Sequence, residues 1–250
     1  MRRLKYIPII HTGVEMGSMY GALKAEYIRR FGTQKWEEHN RIIEDFWQGI
    51  RNKVFELELD YPNTRLYQDG LPLCGKEIDL VQELVRMGSK NHQILTDLIR
   101  LGAKLEGTED PKLLLEEYDY LKKASADLDK KQVYSVRKDG ACPASQSEAG
   151  ALTQPSITNE HSISTSPPSM AGLSNGVKGR YQRLAQSILQ KRDVYIGQRI
   201  DKTLREGETG LLFIGIIHRV NEKLPKDIEI DYLIYRLPFK EGFFPYGEES

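Results

Sequence analysis

The chain has 250 residues, enough for one well-packed domain or two small ones. Its 36 Lys and Arg residues balance its 36 Asp and Glu residues, so the formal net charge is zero. Because phosphate contacts require an excess of positive charge, this balance excludes a typical nucleic-acid-binding protein. The mean hydropathy is -0.52 and no apolar run is long enough to span a bilayer, so we expect no membrane partner either.

The two cysteines indicate the compartment. Cys74 and Cys142 form neither a CxxC pair nor a disulfide framework. The apolar run that follows the basic N-terminus, residues 6–10, is too short for a signal peptide. We therefore expect a cytoplasmic protein with reduced thiols.

Short apolar segments alternate with longer amphipathic ones along the chain. The apolar segments predict strands at residues 4–10, 64–68, 103–110, 210–217 and 228–235. The amphipathic segments predict helices at residues 34–55, 77–87, 91–101, 111–123 and 180–206. This alternation predicts an α/β fold with a mainly parallel sheet flanked by helices. Pro8 counts against a central position for the first strand, because proline cannot donate a backbone hydrogen bond.

The composition changes between residues 125 and 179, where Ser, Thr, Pro, Gly, Ala and Asn dominate. Such a segment cannot bury enough apolar area to offset its ordering entropy, so we expect a long disordered insert. Its low complexity favours a linker over a lid. Residues 1–124 and 180–238 are then expected to form one α/β domain, with residues 239–250 as a tail.

An ionisable side chain lies at the end of each of the first four predicted strands or directly beyond it. These side chains are His11, Asp69, Glu109 and His218. Because ligands of open parallel sheets bind beyond the carboxyl ends of the strands, we expect one functional site there. Two imidazoles with carboxylates could bind a divalent metal or act as a general base with its orienting partner. A purely structural role remains open for each of these residues. Each histidine could cap a turn. Asp69 could stabilise a turn, and Glu109 could interact with the N-terminus of a helix.

Three further features bear on this site. Glu15 lies four residues beyond His11 and would share its face if the turn is helical. The loop 13–18 contains glycines but lacks the GxGxxG spacing, which leaves nucleotide binding as a weaker alternative. Arg192 and Arg199 are seven residues apart on one helix face, where they are either solvated or, if buried near the sheet, able to stabilise negative charge.

The final ordered segment resembles a known superfamily. Arg192-Asp193, Arg199-Ile200 and a strand that ends in Gly215-Ile216-Ile217-His218 reproduce an arginine-bearing helix followed by a G-x-x-H strand end. This pattern resembles the superfamily of TraB, Tiki and ChaN-like proteins and erythromycin esterases, mainly over residues 190–225, with weaker similarity at 7–18 and 65–110. His11 looks like the family's N-terminal histidine, and Gly107-Thr108-Glu109 like its glycine–glutamate element. The chain departs from the pattern at Pro8, which replaces a glycine, and at Gln68-Asp69, where the family has a glutamate.

The convergence of ionisable residues on the strand ends predicts a hydrolase-like enzyme of the esterase or protease type that acts on a small molecule or a peptide. Members of the superfamily that the chain resembles include metal-dependent proteases, esterases and haem-binding proteins, so we expect either a divalent ion (Mn, Zn or Co) or no cofactor. We expect His11, His218, Asp69, Glu109, Arg192 and Arg199 to be catalytic. The expected metal ligands are His11, His218, Glu15 and Glu109. The alternative is a non-catalytic sensor or adaptor that binds a small ligand or a metal in the same pocket. The oligomeric state is open, with a homodimer among the alternatives.

Overall fold

The computed structural model describes residues 1–15, 19–136 and 175–235. The strands are β1 (Arg2–Ile9), β2 (Thr64–Gln68), β3 (Lys104–Glu106), β4 (Thr209–Gly215) and β5 (Ile228–Tyr232). The helices are α1 (Met19–Phe31), α2 (Thr33–Phe55), α3 (Glu77–Arg86), α4 (Lys90–Arg100), α5 (Pro111–Val136) and α6 (Asn175–Thr203). In this part of the chain, no helix combines the length and apolar character needed to cross a membrane.

The five strands form one parallel sheet in the order β3-β2-β4-β1-β5. The α/β prediction is therefore confirmed. Ile9 of β1 pairs with Gly215 of β4, and Gln68 of β2 pairs with Phe213 of the same strand. This register brings the carboxyl ends of β1, β2 and β4 to one edge of the sheet.

Helices cover both faces of the sheet. Leu211 and Phe213 of β4 pack on one face with the buried side chains of α2, α3 and α4. Leu212 and Ile214 pack on the other face with α6. Because β4 is covered on both sides, its sequence is a continuous apolar run rather than an alternating one.

Pro8 is tolerated in an interior strand, contrary to the expectation from sequence. β1 lies between β4 and β5, but its last residue paired with β5 is Tyr6, opposite Tyr232. The Tyr6 carbonyl accepts a hydrogen bond from the Leu233 N–H at 3.0 Å, which shows that even-numbered residues of β1 direct their backbone groups toward β5. Since β5 has ended opposite Pro8, the missing N–H leaves no acceptor unpaired in the β5 ladder.

Several element predictions need correction, since β3 ends at Glu106 and β5 at Tyr232, both before their predicted ends. Helix α1 was not predicted from the sequence. Its described aromatic contacts are with α2 rather than with the sheet: the rings of Tyr20 and Tyr27 lie 5.7 Å and 5.4 Å from the ring of Trp36. β4 ends at Gly215, two residues before the predicted end, and Ile216 and Ile217 are exposed.

Helices also enter the segment predicted as an insert. α5 continues to Val136 and α6 begins at Asn175, so residues 125–136 and 175–179 are helical. The extension of α5 contains no Gly or Pro, the residues that most disfavour a helix. The rest of the predicted insert, residues 137–174, and the predicted tail, 239–250, lie outside the described residues.

A pair of isoleucines tests the burial pattern of β4. Ile214 has no exposed surface, whereas Ile216 is 43% exposed. We expect Ile214→Ala to lower the free energy of unfolding by about 2–5 kcal/mol, because it removes buried methyl groups and leaves a cavity. The control Ile216→Ala should change it by less than about 0.5 kcal/mol. Equal losses in urea unfolding would contradict the end of the buried strand at Gly215 and the exposure of Ile216 beyond it.

Candidate functional site

One carboxylate lies between two imidazoles at the carboxyl edge of the sheet. Asp69 follows β2 directly, His11 follows β1 by two residues, and His218 follows β4 by three. Oδ2 of Asp69 is 3.1 Å from Nε2 of His11 and 3.5 Å from Nε2 of His218. The structure thus brings together side chains from opposite ends of the sequence, as the strand pattern predicts.

Gly215, the last residue of β4, makes this approach possible. A Cβ atom at this position would lie 2.8 Å from Asp69 Oδ2 and 3.3 Å from His11 Nε2, which is too close for any residue other than glycine. The Gly215 N–H also donates to Asp69 Oδ2 at 2.9 Å. The glycine of the G-x-x-H pattern is therefore explained by the space that the carboxylate occupies.

Each imidazole has a second carboxylate on its other side. Nδ1–H of His218 donates to Oδ1 of Asp193 at 2.6 Å, and the Arg219 N–H donates to Oδ2 of the same residue at 3.0 Å. Nδ1 of His11 lies 3.4 Å from Oε2 of Glu15. Nε2 of His218 is buried and makes no hydrogen bond within the described part of the chain.

Arg192 of α6 contacts three buried carboxylates. Its Nη2–H donates to Asp69 at 2.7 Å, its Nε–H to Glu109 at 2.9 Å and its Nη1–H to Glu117 at 2.7 Å. Arg192 has no solvent-exposed surface. Because Asp193 is the next residue of α6, neighbouring positions on one helix hold both Asp69 and His218.

These contacts set the charges of the site. Burial disfavours the charged form of Asp69, but the charge of His218, the hydrogen bond of His11 and the charge of Arg192 outweigh it and hold its pKa well below the usual value. Burial also disfavours both imidazolium forms. The charge of Asp69 and the hydrogen bond to Asp193 outweigh it and raise the pKa of His218 to about 9. Hydrogen bonds to Asp69 and Glu15 likewise raise the pKa of His11 to about 10.

Glu117 responds in the opposite direction to Asp69. Burial raises the pKa of Glu117, and the negative charges of Glu109 and Asp69 act in the same sense, while Arg192 opposes them. The uneven result follows from the geometry, because one guanidinium cannot compensate three carboxylates equally.

Several residues of the site are missing from the sequence prediction. Asp193 and Glu117 contact His218 and Arg192 only because α5 and α6 pack on the same edge of the sheet. Ser89, the N-cap of α4, donates its hydroxyl to Glu15 Oε1 at 2.6 Å. Asp193 is marked in the sequence as the neighbour of Arg192, whereas no sequence signal marks Glu117 or Ser89.

Some predicted residues lie apart from the central carboxylate. Arg199 donates to the Gly107 carbonyl at 3.0 Å and supports the end of β3; it contacts neither imidazole. Two of the expected metal ligands are paired with different side chains: Glu109 contacts Arg192, whereas Glu15 contacts His11. No group of three or more His, Cys, Asp or Glu side chains in the described ranges could hold a metal ion. The loop 13–18, which was the weaker alternative for nucleotide binding, is described only as far as Glu15.

Comparison of the chain with protein-family models, with curated proteins and with solved structures finds no match in any of the three. The function must therefore be argued from the chemistry of the site.

Replacement of Arg192 tests the charge balance of this network. Arg192→Met leaves Glu109 and Glu117 buried without their cation and removes one of the cations beside Asp69, so we expect it to lower the free energy of unfolding by about 3–5 kcal/mol. The matched control is Arg183→Met on the exposed surface of the same helix, which should change it by less than about 0.5 kcal/mol. Similar effects of both variants in urea unfolding would contradict the account.

Proposed function

We propose that the protein is a hydrolase in which the two imidazoles add water to an ester or peptide carbonyl group. The observation that carries this proposal is the arrangement of His218, whose Nδ1 is bound to Asp193. Its buried Nε2 makes no hydrogen bond in the described chain and lies 3.5 Å from Oδ2 of Asp69. A carboxylate that fixes one ring nitrogen and leaves the other available is the arrangement of a histidine general base.

His218 is suited to act on water rather than to contact a large substrate. Its side chain is fully buried. In the proposed reaction, neutral His218 takes one proton from water through Nε2 as the water oxygen bonds to the carbonyl carbon. Asp193 then stabilises the imidazolium that forms.

His11 is suited to protonate the leaving group. Its side chain is 11% exposed, whereas those of Asp69 and His218 have no exposed surface. With a pKa of about 10, His11 is charged at neutral pH and can donate a proton as the carbon–oxygen or carbon–nitrogen bond breaks. The cycle closes when His218 releases its proton and His11 takes one up, so that no proton is gained or lost overall, while Asp69 Oδ2 stays ionised next to both Nε2 atoms.

Other polar atoms at the same edge supply positions for substrate or water. Oγ1 of Thr12, after β1, and Oε1 of Gln68, at the end of β2, are buried and make no hydrogen bond within the described residues. Arg192 acts as a positioning residue: it binds Oδ1 of Asp69 and leaves Oδ2 to the imidazoles.

The reaction class is the one that the ionisable residues at the strand ends predict. The proposed steps use no divalent ion, because the described residues contain no group arranged to hold one. The expected Mn, Zn or Co therefore enters as one arm of the experiment. The alternative function is a sensor that binds a ligand without turnover, and the same experiment distinguishes it from a hydrolase.

The test measures hydrolysis of a chromogenic acetate ester and of a peptide anilide. We expect His218→Gln to lower kcat/KM by about 10²–10⁴, the usual contribution of a general base. His39→Gln on α2 is the matched control and should retain activity, since His39 lies outside the site. Wild-type protein with no turnover, with or without added Mn, Zn or Co, would contradict the hydrolase proposal and favour the sensor.

The pH profile gives an independent readout. Below the pKa of about 9 most His218 is protonated and cannot accept a proton, so kcat/KM should rise about tenfold per pH unit toward that value. Above about 10, His11 loses the proton that it must donate, and the rate should fall. A profile that is already level near pH 7 would exclude His218 as the base.

A further inference from the structure

Glu15, the carboxylate on the outer side of His11, has a partner on each of its oxygens. Oε2 accepts a hydrogen bond from the Thr12 N–H at 2.9 Å and lies 3.4 Å from Nδ1 of His11. Oε1 accepts a hydrogen bond from the Ser89 hydroxyl at 2.6 Å. Glu15 belongs to the segment that follows β1, whereas Ser89 is the N-cap of α4. The position of this carboxylate therefore depends on a contact between two distant parts of the chain.

The contact between Ser89 and Glu15 is shielded from water. Ser89 has no exposed surface, and Glu15 is 5% exposed. Burial disfavours the charged form of Glu15, but the imidazoles of His11 and His92 outweigh it and hold the pKa of Glu15 below its usual value. Since water does not reach this depth freely, loss of the Ser89 hydroxyl would leave Oε1 of a buried carboxylate without its closest donor.

The hydrogen-bonding capacity of the Ser89 hydroxyl fixes the direction of each contact. Its Oγ lies 2.6 Å from Oε1 of Glu15 and 2.8 Å from Nδ1 of His92, and it accepts from the His92 N–H at 3.3 Å. A serine hydroxyl donates one proton and accepts two. An ionised carboxylate only accepts, so the Ser89 proton is directed at Glu15. Nδ1 of His92 must then carry a proton and donate it to Ser89.

The two imidazoles of the site differ in how their outer carboxylates are held. Beside His218, the second oxygen of Asp193 accepts from a backbone N–H, that of Arg219. Beside His11, the second oxygen of Glu15 accepts from a side chain. A substitution can remove a side-chain donor and leave the backbone unchanged, so the support of His11 is open to a direct test.

We propose that Ser89 is a positioning residue for His11. Through Glu15, it holds the ring of His11 in the orientation in which that ring protonates the leaving group. Ser89 and His92 do not contact the substrate; His92 orients the Ser89 hydroxyl by donating to it. This inference rests on the proposed role of His11 in hydrolysis.

The leaving group of the substrate separates positioning from a general loss of structure. Ser89→Gly removes the hydroxyl, and glycine is tolerated at a helix N-cap. Nitrophenolate leaves an acetate ester without a proton, whereas ethoxide must be protonated as it leaves. We expect Ser89→Gly to lower kcat for ethyl acetate about tenfold, as part of the contribution of a general acid, with little change in KM or in the hydrolysis of nitrophenyl acetate. Ser187→Ala, which removes an exposed hydroxyl from α6, is the control and should change neither rate.

A double-mutant cycle shows whether Ser89 acts through Glu15. Glu15→Gln should lower kcat for ethyl acetate at least as much as Ser89→Gly does. In the Glu15→Gln background, Ser89→Gly should add less than about a twofold further loss, because the two residues act as one unit. Equal losses for both esters, or independent effects of the two substitutions, would overturn the proposal and leave Ser89 as a helix cap alone.

Nitrogen-15 NMR of the histidine rings in the full-length protein gives a readout that needs no turnover. At neutral pH, Nδ1 of His92 should carry a proton, and Ser89→Gly should move the Nδ1 signal of His11, whereas Ser187→Ala should not. His11→Gln and His92→Gln assign the signals. An unprotonated His92 Nδ1, or a His11 signal unchanged by Ser89→Gly, would overturn the proposal. If the wild-type protein turns over neither ester, the hydrolase proposal fails, and these spectra alone decide whether Ser89 holds His11.

Discussion

The guanidinium of Arg192 is completely buried among three carboxylates, and the organisation of the site depends on this pairing. A buried carboxylate is strongly disfavoured unless a cation and hydrogen bonds compensate it. Arg192 supplies that compensation to Asp69 after β2, Glu109 after β3 and Glu117 on α5. One side chain of α6 thereby joins this helix to the ends of β2 and β3 and to α5. Stability and chemistry are coupled here, because the carboxylate that must stay ionised next to the histidines is one of the three.

The charge of Asp69 determines the protonation of both histidines. Since Asp69 remains ionised, it favours the imidazolium forms of His11 and His218 despite their burial. The outer carboxylates then distinguish the two rings. Asp193 is hydrogen-bonded to the ring of His218, which is fully buried, whereas Glu15 lies beside His11, which is partly exposed. This asymmetry is the basis for assigning water activation to the inner ring and proton donation to the outer one.

The sequence predicts part of this arrangement and omits the rest for physical reasons. Strand ends are visible as apolar runs closed by polar residues, so the meeting of His11, Asp69 and His218 can be expected from the strand pattern alone. The contacts of Arg192 with Glu117 cannot, because they depend on how α5 packs beside α6, and no local pattern encodes that packing. The same holds for α1, which packs by aromatic contacts with α2, and for Pro8, which is acceptable only because β5 ends early.

The protonation of the two imidazoles tests the central claim most directly. Nitrogen-15 NMR of the histidine side chains between about pH 6 and pH 11 reports the charge of each ring. We expect His218 and His11 to be charged at neutral pH and to lose their protons near pH 9 and 10. Because both folded-state pKa values are raised, their contribution to stability should be complete below about pH 6.5 and decline as the pH rises through those values. If either ring is neutral at pH 7 and titrates at or below about 6.5, Asp69 is not the charged partner that the account requires.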